Sequence, residues 1–196
     1  MKAIPLFSLE LRRLLLSRLT WLIALLTLLS PLAGLTLYKP ASAGTMLSMY
    51  LANPALAGGA AGGVLFGLLA VFELDRANRC RVDVLVDAAV SPLRMALVRL
   101  LALMSAAALT LCLAMLVWLP VSRGLIGAVF DGAEYLLAYA LFMGLALPLG
   151  ILAASSAYQF ARRADLSLVA LAVFAGLSLS VWADDWQLCW LNPCVW

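Results

Sequence analysis

Apolar runs of about 20 residues recur along the whole chain, and they leave few folds open. At 1.5 Å rise per residue, such a run crosses the roughly 30 Å hydrocarbon core of a bilayer as a helix. In lipid every backbone N–H and C=O must be paired internally, so a span is a helix or part of a closed barrel. Strict alternation of apolar and polar residues is absent, which favours helices over barrel strands. The chain is 66% hydrophobic and 12% charged. Soluble domains sit near 45–50% and about 25%. The expected fold is therefore all-α: one polytopic membrane domain over residues 1–196.

The runs place five spans at 19–38, 54–72, 95–119, 135–158 and 166–182. Pro31 is expected to kink the first span, because proline removes a backbone donor. Pro120 is expected to end the third. Before the first span, residues 4–18 set Leu6, Leu9, Leu14 and Leu16 among Glu10, Arg12, Arg13 and Arg18. That pattern fits a basic amphipathic helix at the membrane interface, or a simple basic flank of the span. Ala41-Ser42-Ala43 resembles a signal-peptide cleavage site, but the apolar run before it is longer than the usual core of about 7–15 residues.

The second span carries Gly59, Gly63 and Gly67 at four-residue spacing, with Gly58 and Gly62 one step round. Small residues at this spacing let helices approach closely in lipid. A phosphate-binding role does not fit them. No GxxxxGK[ST] occurs, and the glycines lie inside an apolar run rather than after a strand.

Orientation follows from the placement of Lys and Arg. Lys2, Arg12, Arg13, Arg18, Arg76, Arg79, Arg81, Arg94, Arg162 and Arg163 fall on one side, and only Lys39 and Arg123 on the other. The positive-inside rule puts the first side in the cytoplasm. The expectation is a multi-pass protein of the cytoplasmic (inner) membrane with a cytoplasmic N-terminus. The aromatic tail, with Trp186, Trp190 and Trp196, then falls outside. The net charge of +3 is spread over these loops and gives no sign of nucleic-acid binding.

Between the second and third spans lies the densest charge in the chain, FELDRANRCRVDVLVDAAVSPLRMALVR. A segment so charged is expected to project into water, as a cytoplasmic loop over 73–94. Glu73, Asp75, Arg76 and Arg79 open it, followed by Arg81. On a helix, Asp83 and Asp87 share one face of Val82–Val90, while Leu85, Ala88 and Ala89 share another. Ser91-Pro92 breaks that helix, and Arg94 and Arg99 open the next span. A plain solvated connector would need no apolar face; Leu85, Val86 and Val90 need a partner surface or the headgroup layer.

This pattern resembles the membrane subunits of ABC transporters of the ABC-2 class, the type V exporters. The resemblance rests on the basic interfacial helix, on Glu73 after the second span, and on a degenerate segment that reads LL-x-x-P-[LV] and then [KR]. Val84-Leu85-Val86, Ser91-Pro92-Leu93 and Arg99 stand at those places. It implies that Asp83, Leu85, Val86, Asp87, Val90 and Pro92 form a coupling helix docked on a nucleotide-binding ATPase subunit. It also implies a second permease copy or homologous half, and ATP with Mg on the partner rather than a cofactor on this chain. The family has six spans, so a sixth is expected beyond Trp196 or within Trp186–Trp196. The family's glycine before the coupling helix is replaced here by the neighbourhood of Asn78 and Cys80.

Other functions have less behind them. The chain has no histidine and no Walker lysine motif, and its charges cluster at span ends. A carrier driven by an ion gradient would place an acid or base within the membrane. An integral membrane enzyme would have to use Asp131 with Glu134, or Asp184 with Asp185, and neither pair has a nucleophile or metal-ligand spacing. No catalytic or metal-binding residue is therefore expected, and an amphipathic or lipid-like substrate is favoured over a small ion. A structural or assembly role without transport is the alternative; stimulation of a co-purifying ATPase separates the two.

The tail offers one further expectation. Cys189 and Cys194 flank Trp190-Leu191-Asn192-Pro193, and Asn-Pro favours a turn. A turn can bring two Cα atoms within the roughly 7 Å that a disulfide needs, and the outer compartment permits one. Such a short loop would contribute about 2 kcal/mol. The alternative is two free thiols packed among the tryptophans. A membrane-impermeant thiol reagent applied to intact cells separates them. A bridge predicts labelling only after reduction, and full labelling of both cysteines beforehand rules it out.

Overall fold

The computed structural model describes residues 3–37, 48–79 and 91–178. Within them the fold is all-helical, without a strand. The helices are α1 (Ala3–Leu15), α2 (Arg18–Leu29), α3 (Pro31–Thr36), α4 (Asn53–Arg79), α5 (Pro92–Ile126), α6 (Gly132–Ala138), α7 (Gly144–Ala161) and α8 (Ala164–Ser178). A π-turn, Tyr139–Met143, joins α6 to α7.

Among the described residues, four helical segments are long and apolar enough to cross a membrane: Arg18–Thr36, Tyr50–Arg76, Leu93–Val129 and Gly132–Ala161. The fifth expected span is represented by α8. Its described part has 15 residues and reaches about 22 Å, short of a bilayer core. Leucines on the outer faces of α2 and α5 are exposed, Leu22 at 54% and Leu116 at 70%. A surface so apolar suits lipid, not water.

α4 is the centre of the bundle. Of its span 67% is buried, against 28–33% for the other three. Phe66, Leu69, Ala70 and Val71 are fully enclosed. Against it runs a stripe at every fourth position, Tyr135, Tyr139, Met143, Leu147 and Ile151, all buried. Polar side chains tie neighbouring helices where lipid offers no competing partner. Trp118 Nε1–H donates to Leu28 O at 2.8 Å, and Tyr135 O–H donates to Met115 O at 2.7 Å.

Proline acts differently in the two places the sequence singled it out. Pro31 starts α3 and cannot donate to Thr27 O; Ser30 Oγ–H donates there instead, at 2.7 Å. Arg18–Thr36 together make a helical segment about 28 Å long, enough to cross a membrane. Pro120 does not end the third span, contrary to expectation. α5 runs through it to Ile126. One missing hydrogen bond is tolerated in a membrane helix when the turns on either side remain bonded. The stop is Gly127, whose φ of +69° lies in the region that favours glycine.

The charged segment after the second span also differs from a water-filled loop. α4 continues to Arg79, and Glu73 is only 8% exposed. Asp131, one of the acids weighed for catalysis, serves α6 as its N-cap. Its Oδ1 accepts from the Ala133 N–H at 2.8 Å, and Glu134 follows in the first turn, where the helix dipole favours negative charge.

Candidate functional site

Three helix ends meet at the basic end of the bundle. α1 presents Glu10 and Arg13, one turn apart on one face. α4 brings Glu73 and Arg76, again three residues apart, and α5 brings Arg99. Arg13 is the hub. Its Nε lies 2.6 Å from Glu10 Oε2, and its Nη2 lies 2.7 Å from Glu73 Oε2. A planar guanidinium can serve two carboxylates from two edges, as lysine cannot. At 2.7 Å the Glu73 contact is a close ion pair. Arg76 and Arg99 stand further off, each 3.8 Å from Glu73 and Glu10 respectively.

Burial ranks these pairs. The side chains of Glu73 and Glu10 are 8% and 13% exposed, Arg99 17%, Arg13 33% and Arg76 55%. Arg76 is therefore a screened surface charge of small consequence. Arg13 with Glu73 is the consequential pair, because an unpaired carboxylate at that depth would carry a large desolvation cost. Burial pushes the Arg13 pKa down, but hydrogen bonding and attraction from Glu10 and Glu73 outweigh it and raise it above the ordinary arginine value. The guanidinium stays charged at every physiological pH.

The cluster lies close to both ends of the chain segment that joins α4 to α5. Glu73 is six residues before Arg79, about 9 Å along α4, and Arg99 is seven after Pro92, about 10 Å along α5. Asp75 points elsewhere, to α7, where Tyr158 O–H donates to its Oδ1 at 3.4 Å. The arrangement holds no set of side chains able to bind a metal among the described residues. What it can do is mechanical: it fixes α1, α4 and α5 to one another at one end.

Of the residues singled out in the sequence, Glu73 and Arg76 belong to this junction, Asp75 meets Tyr158 instead, Arg79 ends α4 and Pro92 starts α5. Asp83, Leu85, Val86, Asp87 and Val90 lie outside the described residues, as do Cys80, Cys189 and Cys194. Sequence reasoning missed Arg13 as the partner of Glu73, and Glu10 and Arg99 as the rest of the cluster. One local signal was available, the acid-to-base spacing of three between Glu10 and Arg13.

The glycines sit on the other side of α4, against α7. A Cβ at Gly59 would lie 2.7 Å from Phe142 O, and one at Gly63 would lie 2.8 Å from Ala146 O. A Cβ at Gly67 would meet Leu171 Cδ1 at 2.9 Å. From α7, Gly150 comes so close to Gly63 that a side chain there would overlap its carbonyl. The two backbones are in direct contact.

No family model, curated protein or solved structure matches the chain.

Proposed function

We propose that this chain is the membrane-spanning permease subunit of an ATP-driven transporter of the ABC-2 class, working with a separate ATPase subunit. The observation that carries the proposal is the charged junction of Glu10, Arg13 and Glu73 at the foot of the segment joining α4 to α5. A force applied to residues 80–90 by a partner reaches α4 and α5 directly and reaches α1 through Arg13.

In this reading α1 lies along the cytoplasmic face of the inner membrane, with Arg12 and Arg13 in its last turn, and α8 begins a fifth span. Residues 82–90 form the coupling helix that touches the ATPase. ATP and Mg bind the partner, the permease pairs with a second copy or a homologous half, and the exported substrate is amphipathic or lipid-like. The chain itself performs no catalysis.

The test uses Leu85→Asp and Val86→Asp in the full-length protein, expressed with an ATPase subunit that co-purifies with it. Each variant is expected to insert normally and to lose at least about tenfold in transport per ATP hydrolysed, since burying one unpaired carboxylate costs more than 1.4 kcal/mol. Unchanged coupling in reconstituted vesicles for both variants would overturn the proposal.

A further inference from the structure

Beside the charged junction, a cleft of about 310 Å³ opens between α5 and α7. Leu74 of α4 contributes to it near the junction. Its volume is at the lower end of the range for small-molecule sites. Along α5 it reaches from Leu93 to Leu103, about 15 Å.

The lining is divided in chemistry. Leu97, Leu100 and Leu152 make an apolar wall. Arg99, Ser155, Ser156 and Gln159 make the polar remainder, and Arg99 is the one charged residue among the described residues that line the cleft. Ser156 Oγ–H is turned back to its own helix, donating to Leu152 O at 2.5 Å, so that hydroxyl offers only an acceptor. The lining side chains that can donate to an anion are the Arg99 guanidinium, which also has Glu10 3.8 Å away, the Gln159 amide and the Ser155 hydroxyl. Arg162 and Arg163, both exposed, follow Gln159 within about a turn and add positive charge at this end. Of the nearby acids, Glu10 is held by Arg13 and also stands 3.8 Å from Arg99, and Asp75 accepts from Tyr158.

A leucine wall with a guanidinium and an amide at one end matches an amphiphile with a negative head. We propose that this cleft holds an anionic phospholipid of the leaflet at the basic end of the bundle, its phosphate facing Arg99 and Gln159 and an acyl chain lying along Leu97 and Leu100. The site is independent of the transport proposal and lies on the outside of the bundle. Because Arg99 also faces Glu10, a bound phosphate competes with Glu10 for that guanidinium, which makes the α1 junction sensitive to lipid composition.

Thermal unfolding of the purified full-length protein in detergent tests this, with added phosphatidylglycerol or phosphatidylcholine of identical chains. At a lipid concentration roughly ten times Kd, phosphatidylglycerol is expected to raise Tm by about 3–6 °C more than phosphatidylcholine. Arg99→Gln removes the charge and is expected to abolish that difference, whereas Arg99→Lys retains part of it. Ala96 is exposed and lines the cleft, so Ala96→Phe fills the space without touching the ion pairs. It is expected to keep the basal Tm and lose the difference. Equal shifts with the two lipids in the wild type would overturn the proposal. So would a full phosphatidylglycerol preference surviving in Ala96→Phe, which would place the effect at the junction and not in the cleft.

Discussion

Gly63→Leu is expected to destabilise the folded protein by about 3 kcal/mol, the upper end of what overpacking costs. The cost is high because of what the new side chain meets. A Cβ at Gly63 would lie 2.8 Å from the backbone oxygen of Ala146, and Gly150 of α7 already leans on the Gly63 carbonyl. A flexible side chain could swing away; two helix backbones can relieve the overlap only by separating. Separation would loosen the contact between α4 and α7 along Gly59, Gly63 and Gly67 together. Thermal unfolding and size-exclusion behaviour in detergent read the effect. Gly124→Ala is the control. It lies within α5 with nothing within 4 Å of the added Cβ, so its Tm is expected to stay level or rise slightly. Wild-type stability in Gly63→Leu would contradict the packing described here.

Glu73→Ala is expected to cost about 2–3 kcal/mol. Removing one member of a buried ion pair costs about 3–5 kcal/mol, because the other charge is left unpaired. That figure is reduced here because Arg13 is one-third exposed and keeps Glu10 at 2.6 Å. Arg13→Ala takes the nearest countercharge from two carboxylates, leaving Glu10 with Arg99 and Glu73 with Arg76 at 3.8 Å, and should cost at least as much. The double variant Arg13→Ala/Glu73→Ala is expected to be less destabilised than the sum of the singles, giving a coupling energy of about 1 kcal/mol or more. Denaturant or thermal unfolding of the four proteins measures it. Additive losses would show that Arg13 and Glu73 do not act as a pair. Under the transport proposal, the same variants should also lower transport per ATP more than they lower ATP binding by the partner.

The helices were legible because each apolar run is close to the length that a bilayer demands, and the described residues hold four helical segments of that kind. Their ends were less so. Pro120 reads as a stop by the rules of helices in water, yet α5 passes through it, and the positive φ of Gly127 sets the end. The spacing of Gly59, Gly63 and Gly67 defines a face of α4 but names no partner; Phe142, Ala146 and Gly150 are supplied by the fold. The charged junction was the least legible part. Glu73 attracts notice as an acid after a span, but Arg13 is sixty residues away in sequence and Arg99 is contributed by a different helix. Nothing local pairs them. Composition also suggested that every charge in the 73–94 segment would face water, and Glu73 shows why this fails. A carboxylate can be buried at a membrane boundary when a neighbouring helix supplies its countercharge.

ATP hydrolysis by the co-purified ATPase subunit, measured in vesicles with and without this chain, tests the functional account most directly. The account predicts that hydrolysis rises several-fold when the chain is present and that Leu85→Asp returns it to the level of the isolated ATPase. Hydrolysis that is the same with the chain, without it, and with the variant would contradict the account.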